Sequence, residues 1–219
     1  MAKEPKADTK QVENISIAAP NIQTIEFKLV GTAPLVINKF GSKGEMMMAQ
    51  QAGSTGKKGK KKDAKNFEAL CERAKHKAVE GWCGIHAGSF RAAMISACRL
   101  VGFKMTLAKL SVFVLADGFD EDGHPLIRIQ GGKPEMAIHH VRNATGVIDL
   151  RARPMWKKWW VNLRVRYDAD QFTPTDIANL LLRVGEQVGI GEGRPDSKQS
   201  CGMGWGTFTL AQEAREATG

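Results

Sequence analysis

The stretch Thr173–Phe208 reads TPTDIANLLLRVGEQVGIGEGRPDSKQSCGMGWGTF and carries most of the fold prediction. Its first half predicts a helix, because Thr173 suits the N-cap, Pro174 the first helical position and Asp176 the capping box. Apolar residues then recur at helical spacing, at Ile177, Leu180, Leu181, Val184 and Val188. Gly189 ends the helix, six glycines fall between it and Phe208, and a short strand closes the domain.

Working outward from this end, the chain supplies further strands and helices. Period-two alternation predicts strands, and apolar residues three and four apart predict helices. Strands are predicted at Ile22–Val30, Leu107–Leu115, Trp159–Tyr167 and Gly206–Leu210, and helices at Asn66–Ala78 and Ser89–Val101, the latter with Ser89 as N-cap and Gly102 as its stop. The order β-α-β-β-α-β predicts an α+β, ferredoxin-like (RRM-like) antiparallel sheet.

The segments between these elements define the predicted domain organisation. Residues 1–21 and 211–219 are polar tails, and residues 22–210 form the domain. The Gly/Ser/Gln-rich stretch 41–65 is predicted to be an exposed basic insertion. Residues 117–154, rich in turn formers, are predicted to form a hairpin-like flap before the third core strand. The turn residues DEDG, at 120–123, lack the spaced ligands of a calcium loop.

Composition bounds the function class. The 219 residues include 32 Lys+Arg against 23 Asp+Glu, so the formal net charge is +9 and favours a polyanionic partner, nucleic acid first. The four cysteines form no C-x-x-C pair, and neither a secretory signal nor an apolar run of about 20 residues is present. We therefore expect a cytoplasmic protein that does not contact a membrane.

The glycine-rich loop does not match the nucleotide-binding loops. A P-loop runs from a strand into a helix and contains G-x-x-x-x-G-K-[ST], whereas this loop leaves a helix and enters a strand. G-x-G-x-x-G also fails, because the sixth residue from Gly189 is Arg194. Nucleotide hydrolysis is therefore not expected, although glycines still allow a backbone to approach a nucleic-acid strand closely.

Basic residues interleaved with aromatic ones predict single-strand nucleic-acid binding, since bases stack on aromatic rings and cations hold phosphates. The alternative is that these cations only solvate the surface. The candidates are Lys57, Lys58, Lys60, Lys61, Lys62, Arg91, Arg99, His139, His140, Arg142, Arg164, Arg166, Arg194, Lys198 and Trp205, with Trp156 and Trp160 as further aromatic neighbours.

Two motifs resemble the RAMP superfamily, which includes backbone subunits and guide-processing nucleases of CRISPR systems. GIHAGSFRAAMISACR, 84–99, is similar to the family segment that opens the first helix, and SCGMGWGTFTL, 200–210, is similar to its glycine-rich ending. The resemblance implies a ferredoxin-like core, RNA as the favoured strand, and subunits repeated along it as a homo-oligomer or ribonucleoprotein. It also implies that the flap is a thumb lying across the strand.

Other functions remain open. The nucleases of that superfamily cut RNA without metal through a histidine, and the resemblance makes His86, expected near the glycine-rich loop, the candidate general acid–base. A phage single-stranded DNA-binding protein or a non-catalytic assembly module also fits. A metal site drawn from Cys83, His86, His139 and His140 has weak spacing, so no metal or cofactor is expected.

Overall fold

The computed structural model describes residues 17–39, 66–142, 148–197 and 202–211. In these ranges the chain is α+β, with antiparallel sheets and four α-helices. The strands are β1 Ile22–Gly31, β2 Leu35–Val36, β3 His76–Lys77, β4 Cys83–His86, β5 Val112–Leu115, β6 Gly118–Phe119, β7 Pro125–Arg128, β8 Glu135–Arg142, β9 Ile148–Trp156, β10 Trp160–Asp168 and β11 Phe208–Leu210. The helices are α1 Phe67–Arg73, α2 Ala87–Ala97, α3 Met105–Ser111 and α4 Pro174–Arg183.

The largest part of the core lies on one side of a four-stranded sheet with the order β11-β1-β10-β5. All of its neighbouring strands are antiparallel, and Leu29 of β1 lies opposite Val161 of β10. Along β10 the residues Val161, Leu163, Val165 and Tyr167 are buried and alternate with half-buried or exposed ones. The alternation predicted for β1 and β10 is therefore confirmed, with ends within one residue of the prediction.

Helices α2 and α4 cover the buried side of this sheet. Phe90 and Met94 of α2 and Ile177 and Leu181 of α4 are fully buried in the same cluster as the β10 residues. The capping box is present, because Thr173 accepts from the Asp176 backbone and Asp176 accepts from the Thr173 backbone. A π-helical turn, Val184–Val188, extends α4 to the glycine-rich loop.

Two smaller sheets flank the core. One has the order β2-β9-β8 and the other the order β3-β4-β7-β6. The predicted flap, 117–154, is thus divided: β6 and β7 pair with β4, while β8 and β9 form an antiparallel hairpin whose register runs from Glu135 opposite Met155 to Arg142 opposite Ile148. The base of the hairpin does not stand away from the core, since Trp156 is buried and pairs with Leu35 of β2.

Three local predictions were wrong. Helix α2 begins at Ala87, not after Ser89, because β4 runs directly into it and His86 is the N-cap without a side-chain cap bond. The predicted strand Leu107–Leu115 is helical up to Ser111, and only its last four residues are extended. The helix predicted for 66–78 ends at Arg73, since His76 and Lys77 pair with β4 as β3.

No helix within the described ranges has the length and apolar character needed to cross a membrane.

Candidate nucleic-acid interface

The side of the central sheet opposite the helices is the most extended basic and aromatic surface among the described residues. Its central strand, β10, directs Trp160, Asn162, Arg164 and Arg166 to this side, and all four are half-buried or exposed. The flanking strands add Lys28 of β1 and others by the register: Thr24 and Phe113 flank Arg166, Glu26 and Leu115 flank Arg164, and Lys28 lies opposite Asn162. We call this surface the open sheet face.

Cations on the open sheet face lie over aromatic rings. The Lys28 ammonium is 4.5 Å from the centroid of the Trp160 ring. The Arg166 guanidinium carbon is 5.0 Å from the centroid of the Phe113 ring. Such cation–π contacts keep the charge and the ring at one place on the surface, where a phosphate and a base could be met together.

Arg164 and Arg91 have structural duties of their own. Arg164 donates to the carbonyl oxygen of Ala116 at 2.5 Å and lies 3.4 Å from the Asp117 carboxylate. Arg91 extends from α2 to the edge of the sheet, where it donates to the carbonyl oxygens of Val112 at 2.9 Å and Lys109 at 2.5 Å. Both cations therefore have part of their donor capacity filled by backbone, and Arg91 also lies 4.9 Å from the Phe113 ring centroid.

The glycine-rich loop is bound to the core by its acidic residues. Asp196 accepts hydrogen bonds from Ser96 at 2.7 Å and from the Arg99 guanidinium at 2.9 Å, at the C-terminal end of α2. Arg194 donates to the carbonyl oxygen of Gly191 at 3.1 Å. Arg99 and Arg194, both predicted to hold phosphate, are thus engaged within the protein.

Trp205 packs between the loop and the β8–β9 hairpin. Its ring is 4.6 Å, centroid to centroid, from the His139 ring. A Cβ atom added to Gly193 would come 2.5 Å from the Trp205 ring, so a glycine is required for this approach. Trp205 is half-buried, and one of its neighbours is the histidine that the sequence prediction placed beside it in the same surface.

The remaining sequence candidates are only partly described. Lys57, Lys58, Lys60, Lys61, Lys62 and Lys198 lie outside the described residues, as does the side chain of Arg142. His140 is exposed on β8, while Trp156 is fully buried and therefore has no surface for stacking. The described candidates that share one surface are thus Arg164, Arg166 and Trp160.

His86, the catalytic candidate, lies in a group of histidines rather than beside the glycine-rich loop. Its ring is 4.3 Å from the His76 ring and 5.2 Å from the His124 ring. The loop meets α2 near Ser96, ten residues along a helix that rises about 1.5 Å per residue. Burial and then the neighbouring His124 lower the pKa of His86.

Sequence reasoning missed Lys28 and Phe113. Both belong to stretches whose alternation was visible, but which strands are neighbours depends on long-range pairing. Lys28 meets Trp160 only because β1 pairs with β10, and Phe113 meets Arg166 only because β5 pairs with β10. A sequence signal would have been the alternation of Lys28 against Phe27 and Leu29.

Comparison with protein-family models finds no match for this chain, and comparison with curated proteins finds no significant match either.

Proposed function

We propose that the protein binds single-stranded nucleic acid, with RNA favoured over DNA, on the open sheet face. The observation that carries this proposal is the pairing of cations with aromatic rings there, Lys28 over Trp160 and Arg166 over Phe113. Base–aromatic stacking contributes about 1–3 kcal/mol per base with little sequence preference, while nearby cations meet the phosphates. The formal net charge of +9 adds the long-range attraction that such a ligand requires.

A single strand suits this face better than a duplex. Stacked base pairs in a duplex do not present their π faces, whereas the bases of a single strand are able to lie flat on Trp160 and Phe113. The preference for RNA rests on the resemblance to the RAMP superfamily. Glu26, opposite Arg164 in the register, is the one acidic residue among the side chains named above for this face, and it would lie away from the phosphates.

The sheet order also supports the proposal. The core strands β1, β5, β10 and β11 are arranged last-first-third-second, the order expected of a ferredoxin-like domain. Such domains often bind single strands on the sheet side that is free of helices. The backbone-type arrangement, with subunits repeated along one strand in the cytoplasm and the hairpin as thumb, remains part of this proposal.

The direct test is fluorescence anisotropy with labelled single strands of about 12 nucleotides, oligo(U) and oligo(dT), over a range of salt concentrations. We expect binding with a linear dependence of log K on log salt. Trp160→Leu should weaken binding about 5-fold to 100-fold, because one stacked base contributes about 1–3 kcal/mol. Arg166→Gln should lower the salt slope by about one contact.

Lys104→Gln is the matched control, since Lys104 is an exposed lysine at the start of α3, outside the sheet. It should leave both the affinity and the slope close to those of the wild type. The proposal fails if the wild-type protein binds neither strand at low salt, or if Trp160→Leu and Arg166→Gln match Lys104→Gln. RNA that is shortened in the presence of a chelator would favour the ribonuclease alternative.

A further inference from the structure

A second group of polar side chains lies outside the open sheet face, in the small sheet β3-β4-β7-β6. His76 comes from β3, His86 from the end of β4 and Asp120 from the residue after β6. Each offers one ligand atom, and these three atoms lie within 4.8 Å of one another. Residues 34 or more positions apart in the chain are thus brought together, since His76 and Gly84 are paired in β3–β4 and Gly118 and Leu126 in β6–β7.

His76 is the observation that points to a ligand. The residue is only 6% exposed, and its Nδ1 atom is buried without a hydrogen-bond partner. Buried polar atoms in native proteins are nearly always satisfied, so an unsatisfied one needs an explanation, and an unmodelled ion is among the usual ones. The neighbouring His86 ring lies edge-on to it at 4.3 Å between centroids.

We propose that His76, His86 and Asp120 bind a divalent transition-metal ion, Zn²⁺ first, with a fourth position left for water. Two imidazole nitrogens and one carboxylate oxygen form a donor set that Zn²⁺ takes in sites with three protein ligands. Mg²⁺ and Ca²⁺ prefer sites made entirely of oxygen ligands, so they are disfavoured here. This inference is independent of nucleic-acid binding on the open sheet face.

The protonation states suit metal binding. Burial and then the adjacent His86 lower the pKa of His76 to about 4, and burial followed by His124 lowers that of His86. Burial by itself would raise the pKa of Asp120, but the backbone N–H and ring of His124 outweigh it and hold that pKa below its usual value. Near neutral pH the group therefore presents two neutral imidazoles and a carboxylate, the forms that bind metal.

The geometry needs a small closure. Ligand atoms around a tetrahedral Zn²⁺ are about 3.3 Å apart when the bonds are about 2.0–2.1 Å long. The present limit of 4.8 Å therefore requires movements of at most about 1.5 Å. Rotation of the imidazole rings about χ2 can supply much of this, because that torsion has a broad minimum.

Two neighbours complete the site. His124 Nδ1 is 3.1 Å from Asp120 Oδ1, the arrangement in which an imidazole orients a metal-bound carboxylate. Lys39 Nζ lies 4.0 Å from Asp120 Oδ2 and 3.5 Å from Asp122 Oδ2. A cation at Asp120 would repel this ammonium, and Asp122, which is exposed, is the carboxylate that would keep it.

The test uses the full-length protein after treatment with a chelator and dialysis. Isothermal titration with Zn²⁺ should give one site per chain, and the same protein should show the visible absorption of tetrahedral Co²⁺ when Co²⁺ is added. Zn²⁺ should also raise Tm, because the ion binds the folded chain. An excess of Mg²⁺ should not displace it.

His86→Gln and Asp120→Asn are the informative variants, since asparagine retains an oxygen that accepts the turn N–H groups of Asp122 and His124. Each should lose the Zn²⁺ site and the rise in Tm while keeping the wild-type circular dichroism spectrum. His124→Gln should weaken Zn²⁺ binding about 10-fold to 100-fold, as loss of an outer partner does. His76→Gln is avoided as a sole test, because a change at a buried position can also prevent folding.

His140→Gln is the matched control, because His140 is exposed on β8 and outside the group. It should retain the site and the rise in Tm. The proposal is overturned if the wild-type protein takes up no Zn²⁺ at micromolar concentrations. It is equally overturned if His86→Gln and Asp120→Asn bind Zn²⁺ as His140→Gln does, or if Mg²⁺ at equal concentration displaces Zn²⁺.

Discussion

The Nε atom of Arg153 lies 2.8 Å from Oε2 of Glu192, and this ion pair joins strand β9 of the hairpin to the glycine-rich loop. The two side chains are 11% and 29% exposed, so the pair is largely shielded from solvent. Together with the contacts of Asp196 to Ser96 and Arg99, it explains the acidic residues of the loop. They hold the loop in place and are not directed at a phosphate strand.

The Arg153–Glu192 pair should show measurable coupling. We expect Arg153→Gln and Glu192→Gln each to lower the free energy of unfolding by about 1–3 kcal/mol, with a coupling free energy of about 1 kcal/mol or more in a double-mutant cycle. The exposed pair Lys157–Glu135 is the control, and its coupling should be below about 0.5 kcal/mol. Urea unfolding measures both. Equal coupling in the two pairs would contradict the structural role of Arg153.

Arg91 and Arg166 lie within 5.0 Å of the same ring, Phe113, but should behave differently. Arg91→Gln removes two hydrogen bonds to backbone carbonyls and should destabilise the fold by about 1.5–3 kcal/mol. Arg166→Gln is an exposed change that should alter stability by less than about 0.5 kcal/mol but weaken oligonucleotide binding. Urea unfolding and anisotropy on the same samples separate the two roles. The assignment is wrong if Arg166→Gln is the more destabilising change.

Gly206 should be far less tolerant of a side chain than Gly204, although both have positive φ, 68° and 72°. A Cβ atom at Gly206 would fall on the carbonyl oxygen of Ile190, whereas one at Gly204 would meet no atom within 4 Å. Gly204→Ala should therefore cost only the backbone penalty, about 1–2 kcal/mol. Gly206→Ala should cost at least about 3 kcal/mol, because backbone must move. Thermal unfolding of the two variants checks this, and similar Tm values would rule the steric argument out.

The capping box of α4 should make stability depend on pH. Asp176 accepts from the hydroxyl of Thr173 at 2.6 Å and from its backbone N–H at 2.8 Å, and these bonds lower its pKa. A depressed folded pKa means that the contribution is present above the unfolded pKa, near 3.9, and is lost as pH falls through the folded value. Asp176→Asn should thus cost about 1 kcal/mol at pH 7 and progressively less below about pH 4.

The control for this prediction is Glu186→Gln, an exposed acid at the other end of the same helix. Removing a negative charge there should have no effect or a slight stabilising one, because the helix dipole disfavours it. Urea unfolding at pH 7, 5 and 3 distinguishes the two changes. A deficit for Asp176→Asn that stays constant down to pH 3 would count against the capping role of its charge.

Elements with strong local signals could be predicted. The alternation of β10 and the cap and stripe of α4 depend on residues close together in the chain, so the sequence was sufficient for them. The segment Leu107–Ser111 was mistaken for strand because a short apolar run fits a helix or a strand equally well. Its outcome depends on packing against the rest of the core, where Ala108 is fully buried.

For the candidate interface, sequence reasoning identified the residue types but not their partners. Arg99 and Arg194 were expected to face phosphate, yet each has an acceptor within the protein, which only tertiary contacts could reveal. Trp156 was expected at the surface and is buried because β9 pairs with β2. Arg164 and Arg166 do lie on one open face, as strand alternation predicted.

The sequence by itself determined the basic charge, the amphipathic faces of β10 and α4 and the end of α4 at Gly189, because each follows from composition or from neighbours within about one turn or two. Tertiary structure decided which distant side chains meet. Lys28 reaches Trp160 through strand register, and His76 meets His86 and Asp120 through the pairing of short strands. Such contacts carry no local periodicity, since they depend on how the elements close around a common core.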